Sequence, residues 1–197
     1  MSKSYYSLGL MSGTSMDGVD ASIIQSDGEN KYKAILDKYF AYPQSIFITL
    51  TKIRDKVKNY KDLKKFSNEI KNIEKQITLF HVKAVYEILK TTKTKIDFIG
   101  FHGQTIYHNE KEKISKQLGD GKLLSKLTKK TVIYNFRKND LKFGGSGAPL
   151  SPIFHRLIVE KYRIKPPVII LNLGILIDDY RLNYGQDIYL NGILECF

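Results

Sequence analysis

Apolar and polar positions change their period along this chain, and the change separates an opening set of strands from a helical middle. Ser4–Met11, Val19–Gln25 and Tyr32–Ala41 read as strands, the last ending before Pro43. Farther on, Leu63, Phe66, Ile70, Ile73, Ile77, Phe80, Ala84 and Ile88 recur at three- and four-residue steps. That spacing predicts a long helix with one apolar stripe, a core-facing surface rather than a cofactor box. His81, inside the helix, reads as a structural or surface histidine rather than a ligand. A strand at Ile96–Phe101 is expected to stop at His102-Gly103-Gln104-Thr105, and another at Thr131–Tyr134 to run into Asn135-Phe136-Arg137. A helix is expected over Leu150–Lys161 and a strand over Val168–Leu173. The order of elements predicts an α/β domain, a mixed sheet flanked by helices. No internal repeat or low-complexity segment interrupts it.

The join between the first two strands carries the richest chemistry. Gly9-Leu10-Met11-Ser12-Gly13-Thr14-Ser15-Met16-Asp17-Gly18-Val19-Asp20 passes from one apolar run to the next through glycines and small hydroxyl residues. Such a turn presents backbone N–H groups, with the hydroxyls of Ser12, Thr14 and Ser15 beside them, and a concavity of that kind holds a phosphate. Asp17 and Asp20 can hold a hydrated Mg²⁺ or orient a water. The same residues also suit an ordinary hairpin in which Ser, Gly and Asp serve only the turn.

Open α/β sheets bind ligands at the ends of their strands, and polar residues collect there in this sequence. Gln104 can donate and accept hydrogen bonds to a sugar or acetamido group, beside His102 and Gly103. A strand-end turn capped by His102 accounts for the same string. Arg137 can clamp a carboxylate or a phosphate in bidentate fashion; alternatively Arg137 and Asp140 pair with each other and fix their loop. Two superficially attractive strings fail. Gly145-Ser146-Gly147 lacks the third glycine of a dinucleotide fingerprint, and Gly119-Asp120-Gly121-Lys122 has the wrong spacing for a P-loop.

Composition narrows the picture little further. A net charge of +12 over 197 residues admits anionic partners. The lysines are scattered, however. Their densest group, from Lys52 to Lys65, has no aromatic interleaving of the kind an RNA-binding sheet shows, so a solvated helix face is expected and nucleic acid is not. Cys196 is the single cysteine, which excludes a disulfide or a cysteine zinc site within the chain. No signal peptide is apparent, and Val168–Ile177 falls short of the ~18 residues of a membrane span, so no membrane partner and a cytoplasmic place are expected.

The string Gly9–Asp20 resembles the first phosphate loop of the anhydro-N-acetylmuramic acid kinases, in the sugar-kinase/actin-like ATPase superfamily. Gly100–Thr105, Gln117–Gly121, Phe136–Asp140, Gly144–Leu150 with Pro152 and His155, and Leu171–Gly174 also resemble that family's motifs in order and approximate spacing. The resemblance implies a ribonuclease-H-like first domain over residues 1–174. It implies ATP with Mg²⁺ as cofactors and phosphate binding by Gly13, Thr14, Ser15, Met16, Asp17, Gly18, Val19 and Asp20. The sugar cleft would take His102, Gln104, Arg137 and Asp140, and Asp17 would touch a metal only through water. The implied reaction opens the anhydro ring of 1,6-anhydro-N-acetylmuramic acid with water and phosphorylates O6, in peptidoglycan recycling.

After Gly174 the chain departs from the family's pattern. Asp187 is not followed by Thr-Gly-Pro, so it is not assigned the family's general-base role, and no catalytic residue is assigned. Residues 175–197 read as a divergent tail with the family's second domain absent, as in a truncated or frameshifted gene. Two readings follow: a kinase needing a second half from elsewhere, or a non-catalytic remnant that binds sugar or phosphate. The apolar tail is expected to promote self-association.

Overall fold

The computed structural model describes residues 3–165 together with Pro167 and Val168. Beyond Val168 the expected strand at Val168–Leu173, the Leu171–Gly174 motif, Asp187 and the expected self-associating tail lie outside the described residues. Two units are distinguished, residues 1–147 and residues 148–197.

In the first unit, alternation turns directly into strands. β1 (Tyr5–Ser12) buries Leu8, Leu10 and Ser12 while Gly9 and Met11 face outward. β2 (Gly18–Ser26) does the same with Val19, Ala21 and Ile23, and β3 (Tyr32–Ala41) completes an antiparallel meander. Helix α1 (Gln44–Lys56) starts after Pro43, followed by α2 (Tyr60–Lys65) and α3 (Ser67–Lys90). The dense lysine group therefore lies on α1, the link after it and α2, rather than on a single helix face.

The long helix expected through Leu63 and Phe66 is in fact two helices. Asn59 and Asp62 form a reciprocal capping box that starts α2, and Phe66 ends it in a non-helical conformation (φ −99°, ψ 21°). The break takes Leu63 and Phe66 out of α3, and both are partly buried against the same core. Ile70, Ile73, Ile77, Val85 and Ile88 of α3 are buried in one core with Leu8, Leu10, Val19 and Ile23 of the sheet. That core is where most of the stability of the unit arises, at about 1.5–3 kcal/mol per buried aliphatic side chain.

β4 (Phe98–Asn109) lies parallel to β1, and it does not stop at His102 as its sequence suggests. Its partners change instead. Phe98–Phe101 pair parallel to β6 (Thr131–Tyr134), whereas Gln104–Asn109 pair antiparallel to β5 (Ile114–Leu118). The sheet order is β3-β2-β1-β4-β5, with β6 also on β4. At the changeover Gly103 adopts φ +73°, and the register with β1 jumps from Leu10↔Phe101 to Ser12↔Gln104. The irregularity is a β-bulge that places the extra residue of β4 opposite the end of β1. Short helices α4 (Gly121–Thr128) and α5 (Phe136–Lys142) flank β6.

In the second unit, α6 (Pro152–Tyr162) has Pro152 in its first turn, two residues later than the expected start. Among the described residues no helix is long and apolar enough to cross a membrane.

Candidate functional site

Parallel strands β1 and β6 end beside the bulge within β4, and that rim carries the candidate residues. β1 delivers Ser12 and then the turn Gly13–Asp17, in which the Met16 N–H donates to the Gly13 carbonyl at 3.2 Å. Met16 takes φ +58° and tucks its side chain into the core, which anchors the turn from below. Thr14 and Asp17 are exposed, and Ser15 donates to Asp17 Oδ1 at 2.5 Å. Gly18 begins β2 where no side chain fits: a Cβ there would lie 2.4 Å from the Phe40 carbonyl oxygen.

Ser12 departs from its expected role. Its hydroxyl is buried and meets Tyr42 Oη at 2.8 Å and His81 Nε2 at 3.1 Å, facing away from any ligand in the turn. His81 is structural, as expected, but it is not at the surface. It is fully buried, with its Nδ1 at 2.8 Å from the Ile77 carbonyl and its ring edge-on to Phe101.

The bulge brings Gln104 to the turn. Its Nε2 donates to the Gly13 carbonyl at 2.8 Å, a contact between residues 91 positions apart. Its Oε1 is buried and has no hydrogen-bond partner among the described residues. Arg137, near the start of α5, donates from Nε to His102 Nε2 at 2.9 Å and from Nη1 to the Gly147 carbonyl at 2.9 Å. Asp140 receives the Gly147 N–H at 2.7 Å. Arg137 and Asp140 thus hold the glycine loop from two sides instead of pairing with each other. One rim gathers Gly13, His102, Gln104, Arg137 and Asp140. A separate cavity of about 510 Å³ beside β5, lined in part by Lys113, Lys116, Lys122 and Lys138, contains none of the candidate residues.

Electrostatics follow from these positions. Burial, then the neighbouring charge of Asp17, raises the Asp20 carboxyl above its usual range although it reaches solvent. Tyr39 is raised by partial burial and by the same Asp17. Burial pushes His81 down to about 4, and burial together with the Arg137 cation pushes His102 down to about 4. Both imidazoles are therefore neutral near pH 7. Because their folded pKa values lie below the ordinary 6.5, the unfolded chain binds more protons between about pH 6.5 and pH 4. Stability should be fully present above that window and fall as the pH drops through it. Urea unfolding across the window checks this, and a flat profile would contradict the buried, neutral state of the two histidines.

Sequence reasoning missed Tyr39 and Tyr42, which stand beside the turn in space but are remote from it along the chain, where no motif marks them. The chain itself is similar to known proteins. The model of the family described as anhydro-N-acetylmuramic acid kinase matches residues 5–186. A protein of that name from Pelagibacter ubique (strain HTCC1062) is 58% identical over 174 residues, covering 88% of this chain and 46% of the relative. Those from Brucella canis and Agrobacterium fabrum are 36% and 35% identical over 172 residues, each covering 85% of this chain and 46% of the relative. The chain spans about half the length of the relatives it matches.

Proposed function

The chain belongs to the anhydro-N-acetylmuramic acid kinase family, and from that premise we propose that its rim forms the phosphate- and sugar-facing half of a carbohydrate kinase site. The reaction would be ATP-dependent phosphorylation of 1,6-anhydro-N-acetylmuramic acid with opening of its anhydro ring by water, in the cytoplasm where ATP is supplied. The observation that carries the reading is the bond from Gln104 to the Gly13 carbonyl, which joins the motif after β1 to the motif at the bulge of β4.

In this reading the backbone of Gly13–Ser15 and the exposed Thr14 hydroxyl receive phosphate oxygens, and Gly18 lets β2 start close against β3 directly after the turn. Asp17 and Asp20 fit a hydrated Mg²⁺: they face solvent, and a divalent cation would relieve the repulsion from Asp17 that adds to burial in raising Asp20. The cation, when bound, neutralises charge on the transferring phosphoryl oxygens. Arg137, fixed by His102 and Gly147, offers its remaining donors to a lactyl carboxylate or a phosphate. The unpartnered Gln104 Oε1 accepts from a sugar N–H or hydroxyl. No described residue is given the role of general base.

Isothermal titration of the chain with Mg·ATP and with 1,6-anhydro-N-acetylmuramic acid tests the proposal. Saturable heats for both, weakened by Asp17→Asn for the nucleotide and by Gln104→Leu for the sugar, are expected. A folded chain that binds neither would overturn it, and binding without turnover would mark the chain as a sugar- and phosphate-binding half-site.

A further inference from the structure

Behind the turn lies a hydrogen-bonded chain whose direction the chemistry fixes. His81 Nδ1 faces the Ile77 carbonyl at 2.8 Å, and a carbonyl only accepts, so Nδ1 carries the proton. Nε2 of the neutral ring is then an acceptor. The Ser12 hydroxyl, 3.1 Å away, must donate to it. Its lone pairs in turn accept from the Tyr42 hydroxyl at 2.8 Å. Tyr42, Ser12 and His81 are all buried, away from bulk solvent.

This relay passes through the residue that immediately precedes the turn. Gly13 follows Ser12, and its carbonyl is also held by Gln104. Tyr42 reaches the same place twice, because its own backbone N–H donates to the Asp17 carbonyl at 2.7 Å, at the far end of the turn. One residue therefore grips both ends of Gly13–Asp17, by its hydroxyl at Ser12 and by its main chain at Asp17. We propose that Tyr42, Ser12 and His81 are positioning residues for the phosphate turn, a buried relay that fixes where Gly13, Thr14 and Ser15 aim their N–H groups. This deepens, and rests on, the reading of Gly13–Asp20 as the phosphate-binding segment. A relay of this kind acts before any ligand arrives: donors already aimed need no ordering on binding.

A purely architectural role for the three residues predicts something different. Their loss would then lower the melting temperature and leave the folded turn unchanged. Tyr42→Phe removes the hydroxyl and keeps the ring that packs 4.9 Å from Phe80. Ser12→Ala removes the link in the middle, while Ser12→Thr keeps a hydroxyl there.

The test uses the full chain, with ¹⁵N-resolved NMR and calorimetric titration of Mg·ATP, well below the melting temperature of each variant. The wild-type His81 imidazole should show a protonated Nδ1 and a bare Nε2. In Tyr42→Phe and Ser12→Ala the amides of Gly13, Thr14 and Ser15 should shift, and Kd for Mg·ATP should rise about tenfold, the loss of one buried hydrogen bond. Ser12→Thr should restore both readouts. A protonated Nε2 in the wild type overturns the proposal without any variant. So do unmoved turn amides and unchanged Kd in variants that melt earlier. If the wild type binds no Mg·ATP, the phosphate-binding reading fails, and the amide shifts still decide whether the relay positions the turn.

Discussion

Gly103→Ala should lower the unfolding free energy by about 3–5 kcal/mol, a large part of the ~5–15 kcal/mol that holds a typical domain together. Two effects add. Alanine at φ +73° costs roughly 1 kcal/mol over glycine, because its Cβ crowds the backbone in the left-handed region. The greater cost is steric: the new Cβ would stand 2.3 Å from the Leu118 carbonyl oxygen on β5. Backbone cannot swing aside as a side chain does, so β5 must part from β4 or the bulge must straighten. Gly28 supplies the control. It also has a positive φ, +80°, but nothing lies within 4 Å of its missing Cβ, so Gly28→Ala should cost only the conformational penalty. Urea unfolding of the two variants separates the contributions. Equal losses would mean that the close approach at Gly103 is relieved cheaply.

Arg137→Lys should weaken sugar binding nearly as much as Arg137→Ala, by about 10–100-fold, on the proposal that this guanidinium faces the substrate. Lysine keeps the charge but not the fork. Arg137 spans His102 Nε2 and the Gly147 carbonyl at once, each at 2.9 Å, and a single ammonium cannot reproduce that planar arrangement. Calorimetry with the anhydro sugar gives the affinity. The pKa of His102 gives an independent check on geometry. Burial is the main cause of its depression, and the Arg137 cation adds to it, so Arg137→Ala should raise it from about 4 toward the ordinary 6.5. A His102 titration unmoved in Arg137→Ala would mean that the two side chains do not meet.

The elements most legible in the sequence are those whose own residues decide their structure. The alternation in β1 and β2 and the stripe of α3 bury the side chains the pattern names, because one face of each has a core to meet. β5 was not legible. Ile114-Ser115-Lys116-Gln117-Leu118 carries only two aliphatic residues, and it becomes a strand because the second half of β4 offers it a partner. The continuation of β4 past His102 has the same origin: glycine reads as a stop, yet here it makes the bulge that keeps the strand paired. At the site, residue types announced a phosphate turn and a polar strand end. Which of them touch is a property of the sheet. Ser12 turning inward to His81, and Arg137 choosing His102 and Gly147 over Asp140, depend on contacts between distant parts of the chain that no local pattern encodes.

β1 has two neighbours that differ greatly in chain distance. β2 follows it after a five-residue turn, whereas the bond from Gln104 back to Gly13 closes a loop of 91 positions. A hairpin forms in roughly 1–10 μs, while a pairing between remote segments first has to overcome the entropy of bringing them together. The turn Gly13–Asp17 thus takes its outline early, from the meander alone, and receives its clasp only when β4 docks. Birth of the fold and completion of the rim are separate events in time. Slow hydrogen exchange should therefore reach Gly9 and Ser22, which face each other across β1 and β2, before it reaches the amides that depend on β4, and a nascent chain that has emerged only as far as β3 would carry the turn in shape but without its lock.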